Sequence, residues 1–278
     1  MGSGRSIDHV VVAVRDLDQA AQTYQALGFT LTPRAMHDER MGTSNRLAQF
    51  AAKNFIELLE VDRPDTLARH DFAASPPLFS FGDHNRLAVK DREGASMLVF
   101  ATNDAEADAA RFAAAGLPSF APFSFERRAT LPDGSQVTLA FSLAFVRAPD
   151  MPRAGFFACE NRSQEYFWKP AYQSHANGST GITAVYLSSP DPKRDAMFVG
   201  KMFNAEIRST SGGYIVACGP SQVLRVLTPQ AIAERDPSLA ACARQTAFLA
   251  GICLASSGKH EFIPAAQAHG VFIEWIAT

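Results

Sequence analysis

The sequence has little of what usually marks a function class. Its 278 residues hold only two tryptophans and four cysteines. Cys159, Cys218, Cys242 and Cys253 stand far apart with no CxxC spacing, in a chain much larger than a disulfide-stapled mini-protein, so reduced and mostly buried thiols are expected. Cys159 has no sequence-adjacent base and no helix start beside it, which argues against a nucleophile. No apolar run approaches the roughly 20 residues of a membrane span, and no apolar signal core precedes the alternation that begins by Ile7. A cytoplasmic location without membrane association is the expectation. Charge of one sign is lacking too: 26 basic against 28 acidic residues give a net charge of −2, which implies no broad attraction to nucleic acid or anionic lipid. A GxSxG elbow, a phosphate-binding glycine loop, an HExxH pair and a dinucleotide fingerprint are all absent, so hydrolase, kinase and dehydrogenase readings gain no support.

Apolar and aromatic residues are plentiful. The chain is 47% hydrophobic and carries 21 Phe and 5 Tyr, enough for one large core or two ordinary ones with aromatic-lined interiors. Charged residues make up 19%, somewhat low for a fully exposed monomer surface, and this leaves room for a self-associating face and a homodimer.

The chain repeats itself. Residues 7–14 alternate, with Ile7, His9, Val11 and Ala13 on one face and Asp8, Val10, Val12 and Val14 on the other. Asp16 then offers an N-cap, Leu17, Ala20, Ala21 and Tyr24 recur at helical spacing, and Gly28 suits the position just past the helix end. Strand candidates follow at Phe29–Thr32, Arg46–Ala51 and Phe55–Val61. After an offset of 88 residues, Asp104, Phe112 and Gly116 take the places of Asp16, Tyr24 and Gly28, and the unit continues through strands at 120–128, 136–147 and 155–159, with a Pro132-Asp133-Gly134 hairpin turn. A third copy opens at Ile182–Ser188 with Asp191 as its cap, and an eroded fourth spans 247–255 and 271–277. The stretch Arg63–Asp91 reads as an excursion and Pro229–Gln245 as an alanine-rich helix. Repeated units bury a common face only when paired. The expected architecture is therefore α+β, with tandem βαβββ modules pairing into two curled mixed sheets. The domains would be 5–178, with modules 7–62 and 95–160, and 179–278.

Within the first module His9 lies on the first strand and Glu57 on the last. Such a pair serves as metal ligands, as a base with its orienter, or as a satisfied polar pair inside a barrel. His37, Asn45 and Arg46 suit a substrate-orienting set, Arg supplying a fork of donors and Asn either polarity; the alternative is a plain turn with Arg46 on the surface. Trp168, in the run Tyr166-Phe167-Trp168, either roofs a pocket or packs in a core. Glu274 and His269 suit a second cavity or structural duty.

A βαβββ unit with His on its first strand and Glu on its last, repeated in tandem, resembles the vicinal oxygen chelate superfamily, which includes glyoxalase I, extradiol dioxygenases and bleomycin-resistance proteins. The stretch His37…Gly42-Thr43-Ser44-Asn45-Arg46-Leu47…Phe55-Ile56-Glu57-Leu58, with Phe156-Phe157 and His175-Ala176-Asn177-Gly178, resembles the glyoxalase-like domain family. The resemblance implies an enzyme acting on a small vicinal-oxygen substrate, a dicarbonyl or hydroxy acid, through an enediolate-type intermediate. It also implies a divalent metal (Zn, Mn, Fe or Ni) held by His9, Glu57 and His175, with His37, Asn45, Arg46, Asn177 and Trp168 around the substrate. The bleomycin-resistance branch implies the alternative, a metal-free protein that sequesters a small molecule. The superfamily's four-ligand set is not matched here, because Met97, Cys159, Ala184 and Arg225 stand at the corresponding positions.

Overall fold

Three aspartates start three helices at equivalent points of the repeat. Asp16 accepts from the backbone N–H of Asp18 and Gln19, Asp104 from that of Ala107 and Asp191 from that of Arg194, each satisfying donors a helix start leaves open. The computed structural model describes residues 4–130, 134, 136–243, 246–258 and 260–277. In chain order its first half runs β1 (Ile7–Val14), α1 (Leu17–Ala26), β2 (Ala35–Met36), β3 (Ser44–Gln49), β4 (Phe55–Glu60), α2 (Phe81–Asp91), β5 (Gly94–Thr102), α3 (Ala105–Ala114), β6 (Phe123–Thr130), β7 (Gln136–Val146), β8 (Gly155–Asn161) and α4 (Gln164–Phe167). The second half runs β9 (Ser179–Ser188), α5 (Pro192–Phe203), β10 (Ile207–Thr210), β11 (Gly213–Cys218), β12 (Gln222–Leu227), α6 (Pro229–Arg235), α7 (Ala240–Ala243), β13 (Phe248–Ser256), β14 (Glu261–Ile263) and β15 (Phe272–Ala277).

Two curled mixed sheets result, in the orders β2-β3-β4-β1-β5-β8-β7-β6 and β10-β11-β12-β9-β13-β15-β14. In each, the opening strand pairs in parallel with the last strand of its own unit (β1 with β4, β9 with β12) and antiparallel with the opening strand of the next unit (β1 with β5, β9 with β13).

In the first half two local expectations change. Phe29–Thr32 is not a strand: Phe29 and Leu31 turn into the core, the Thr30 hydroxyl donates to the Ser174 carbonyl and Pro33 has no N–H to give, so pairing starts only at Ala35. The excursion after Arg63 contains helix α2, capped by Ser80. Pro132 and Asp133 of the expected turn lie outside the described residues.

Apolar side chains fall into three clusters, and their division explains where a site can form. The largest lies between the sheets, joining Val10, Val12 and Leu98 of the first with Val185, Leu249 and Ile252 of the second, and taking in α1, α3 and α5 through Tyr24, Phe112 and Phe203. The other two fill the concave faces. In the second sheet Ile232, Leu239 and Ala243 pack down on Tyr186, Phe248 and Phe272 and close the trough. In the first, Phe79 and Phe81 lead α2 into the trough and fill only part of it. Buried polar groups seat α2: Asn85 Oδ1 accepts from Ser96 Oγ at 2.6 Å and His84 Nε2 lies 3.1 Å from the Ser96 carbonyl. Among the described residues, no helix is long and apolar enough to cross a membrane.

Two outcomes follow from this packing. Phe100 is 1% exposed and sits 5.0 Å from Phe203, ring to ring, across the central core. Phe100→Ala should lower unfolding free energy by about 3–5 kcal/mol in urea titration, and a loss under about 1 kcal/mol would mean the halves do not share that core. Burial pushes the His84 imidazole down to about 4. The unfolded chain therefore binds a proton near pH 6.5 that the folded chain refuses, and stability present above that pH falls as pH drops towards 4. His84→Asn should flatten this part of the stability-versus-pH curve; an unchanged slope contradicts the assignment.

Candidate active site

The first strand does not keep strict alternation. Against β5 its register slips between Ile7 and His9 and again between Val11 and Val12, and such irregularities re-aim side chains. Ile7, Val10, Val12 and Val14 face the central core, whereas Asp8 and His9, neighbours expected on opposite faces, both line one cavity in the first trough. Asn45 and Leu47 of β3 line it together with Phe125 and Arg127 of β6, so strands from opposite sides of the sheet wall a single space. Its volume is about 60 Å³. At roughly 10–15 Å³ per water-sized position, that takes a group of about four to six non-hydrogen atoms.

Glu57 lines this cavity and is only 4% exposed. Asn45 Nδ2 donates to its Oε1 at 2.6 Å and approaches His37 Nε2 at 3.0 Å. His9 Nε2 lies 3.6 Å from Glu57 Oε2, and its other ring nitrogen is 2.5 Å from Asp8 Oδ1. The His9 ring stacks on Phe55 at 4.3 Å and meets the edge of Phe157 at 5.8 Å. His37 Nδ1 lies 2.8 Å from Thr43 Oγ1. Burial pushes its imidazole down to about 4, with Glu57 opposing and Arg127 and Arg63 reinforcing. It is therefore neutral at pH 7; its Nε2 accepts from Asn45 and its Nδ1–H donates to Thr43.

The loop motif has a mechanical explanation. Gly42 has φ +63°, and a Cβ there would meet the Arg63 carbonyl at 2.5 Å, so only glycine lets the two segments approach. Arg63 in turn donates to the Thr43 and His37 carbonyls at 2.8 and 3.3 Å. That clamp holds His37 over the trough.

Arg127 was not singled out by the sequence, although it keeps the inward phase of Phe125 on an aromatic strand. It is half-buried, and among the described residues no hydrogen bond or ion pair engages its guanidinium. Burial lowers its pKa and the nearby Glu57 carboxylate opposes this. The Asn45 Oδ1 is also buried without a partner. An unpaired cation and an unused acceptor thus border a carboxylate and two imidazoles. Asp8 was missed as well, because the register slip that brings it inward leaves no mark in the hydrophobic pattern.

Other candidates lie elsewhere. Arg46 alternates away from Asn45, and its Nη2 donates to Asp18 at 3.1 Å outside the cavity. His175 does not join His9 and Glu57: its Nδ1 accepts from Thr30 N at 3.0 Å and its Nε2 donates to the Gln49 carbonyl at 2.7 Å, so both nitrogens are used in fixing the chain. Asn177 is likewise a strap, donating to the Leu27 carbonyl at 2.9 Å and accepting from Ser179 N at 3.0 Å. Trp168 does not line the cavity but borders an adjoining groove. Cys159 lines the cavity but burial, then Asp8 and Glu57, raise its thiol pKa well above the usual value, which keeps it protonated. Glu274 accepts from the Tyr186 hydroxyl at 2.5 Å and from Arg235 Nη1 at 3.0 Å in the filled second trough.

A divalent metal, the cofactor the resemblance implies, needs at least three convergent donors in a catalytic site. Among the described residues no group of three or more His, Cys, Asp or Glu is placed to hold one. His9 and His37 address different oxygens of Glu57, and the His37 Nε2 lone pair is taken by Asn45. Much of the remaining wall is aromatic, from Phe55, Phe81, Phe125, Phe141, Phe157 and Phe167. This donor set does not fit a resident divalent ion.

Comparison with known proteins agrees on the fold. The model of a family described as "Glyoxalase-like domain" matches residues 7–199. No curated protein matches the chain in sequence. A crystal structure of a hypothetical protein from Staphylococcus aureus superposes with a TM-score of 0.74 at 15% identity, over 98% of this chain and 99% of that one. A triple mutant of 4-hydroxymandelate synthase from Streptomyces coelicolor superposes with a TM-score of 0.54 at 13% identity, over 99% and 92%. A methylmalonyl-CoA epimerase from Streptomyces coelicolor, in complex with 2-nitronate-propionyl-CoA, gives a TM-score of 0.39 at 21% identity, over 58% and 99%. With its paired βαβββ units, its curled sheets and a family match over more than half its length, the chain belongs to the glyoxalase-like domain family of the vicinal oxygen chelate superfamily.

Proposed function

We propose that the chain is a glyoxalase-like enzyme that moves a proton at a carbon beside a carbonyl, acting on a small vicinal-oxygen substrate such as a dicarbonyl or hydroxy acid through an enediolate-type state. The observation that carries this reading is the pairing of two bases, His9 with its Asp8 partner and Glu57, 3.6 Å apart in an aromatic cavity that also exposes the unpaired Arg127. One base takes the proton from carbon, the C–H electron pair becomes the C=C bond of the enediolate, and the carbonyl oxygen gains the negative charge. Arg127 stabilises that oxygen, since a fixed cation in a water-poor site acts strongly on developing charge. The protonated base, or its neighbour, returns the proton to carbon, and atoms and electrons balance with no other reactant. Asn45 Oδ1 accepts a substrate hydroxyl.

A specific observation also favours a second reading, sequestration of a small molecule without chemistry: the cavity wall is dominated by phenylalanine and its donor set does not fit a metal. Exchange in D2O separates the two. With a panel of small 2-hydroxy and 2-oxo aldehydes and acids, proton NMR should show enzyme-dependent loss of the signal from the carbon beside the carbonyl. Glu57→Gln should slow this at least 100-fold, and Asp8→Asn should slow it less, within the usual range for a positioned acid or base. Arg127→Gln should lower kcat more than it raises KM, because its charge partner forms during reaction. Saturable binding of panel members without exchange would establish the second reading and overturn the first.

A further inference from the structure

The cavity at Glu57 takes only about four to six non-hydrogen atoms, yet it adjoins a much larger space. A groove of about 1080 Å³ borders it and shares Asn45, Leu47, Arg127 and Phe167 with it. The groove's lining has a charge that the chain as a whole lacks. Arg34, Arg127, Arg128 and Lys169 all contribute, and no aspartate or glutamate does, in a protein whose net charge is −2. Arg34 is neutralised by Glu60 and Asp62, each at 3.0 Å. Among the described residues no salt bridge engages Arg127, Arg128 or Lys169. Beside these cations stand Tyr166, Trp168 and Tyr172, with Trp168 supported edge-on by Phe167 at 4.9 Å.

We propose that this groove holds the distal part of the same substrate, a planar ring bearing an anionic group such as a phosphate, while the reacting head enters the cavity at Glu57. The inference rests on the proton-transfer reading of that cavity and adds the shape of the molecule: small at the reacting end, ringed and anionic at the other. Size enforces the division, since the inner cavity cannot take more than the head. Charge selects the tail, because among the described residues Arg128 and Lys169 have no salt bridge to release before binding an anion. Trp168, with the Lys53 ammonium over its ring at 5.3 Å, borders the groove as an aromatic contact for a ring, one that tolerates many ring types. Arg127, common to both spaces, stands where head and tail join.

1-Naphthyl phosphate, which joins a ring to a dianion, probes the groove, and oxamate, a small vicinal-oxygen anion, probes the cavity. Calorimetry at physiological salt should give saturable binding of 1-naphthyl phosphate at least tenfold tighter than 1-naphthol or inorganic phosphate. The Arg128→Glu/Lys169→Glu double variant should weaken it at least tenfold, with Arg128→Lys/Lys169→Arg retaining most of the affinity, and oxamate affinity should stay within about twofold in both. Both side chains lie outside the core, so the unfolding midpoint should not move. Binding of 1-naphthyl phosphate that is absent, or unaffected by the charge reversal, overturns the proposal. Failure of oxamate to bind the unaltered protein strikes the proton-transfer reading instead, so the two ideas fail separately.

Discussion

The site depends on one costly placement, the carboxylate of Glu57 in a trough walled by phenylalanine. A buried charge without partners costs several kcal/mol, so the chain around it is organised to supply them. The loop with Gly42 brings His37 and Thr43 over the trough, β3 aims Asn45 at Oε1, and the irregular start of β1 turns both His9 and Asp8 inward. Arg127 enters from the far side of the sheet, which only a curled sheet permits. Loss of any of these leaves the carboxylate less well compensated, so the stability of the fold is coupled to the arrangement of this cavity.

The repeat architecture explains why the two concave faces differ. Both sheets bury their convex faces in a common core with α1, α3 and α5, which commits that surface to stability. The two concave faces lie outside that core. In the second sheet α6 and the residues after it pack onto Tyr186, Phe248 and Phe272, and Glu274 is tied to Tyr186 and Arg235. In the first, α2 fills part of the trough and leaves the cavity at Glu57 with its groove outside. Two copies of one supersecondary plan thus take different duties through what lies across their concave faces.

Much of this was legible in the sequence, and the reasons it stops being legible are physical. Three caps at matching points, Asp16, Asp104 and Asp191, are local signals, and local hydrogen bonding honours all three. His9, Glu57, His37 and Asn45 sit on elements whose alternation or loop chemistry can be read directly, and they converge. Asp8 could not be placed, since a register slip is a property of the strand pair and not of one strand. Nor could α2, whose buried residues after Phe81 are Gly82, Asp83, His84 and Asn85 and not an apolar stripe. His175 and Arg46 show the limit of transfer by motif: the residue types match, but the backbone of Thr30 and Gln49 and the carboxylate of Asp18 claim their side chains.

The central claim, that the trough around Glu57 is where a small vicinal-oxygen molecule binds, is tested most directly by NMR titration of the isotope-labelled protein with oxamate. The account predicts saturable amide shifts concentrated at Asp8, His9, Asn45, Glu57 and Arg127, with the second sheet unmoved. Shifts centred instead on His175, Arg46 or the strands from Ser179 onward, or none at millimolar ligand, would contradict it.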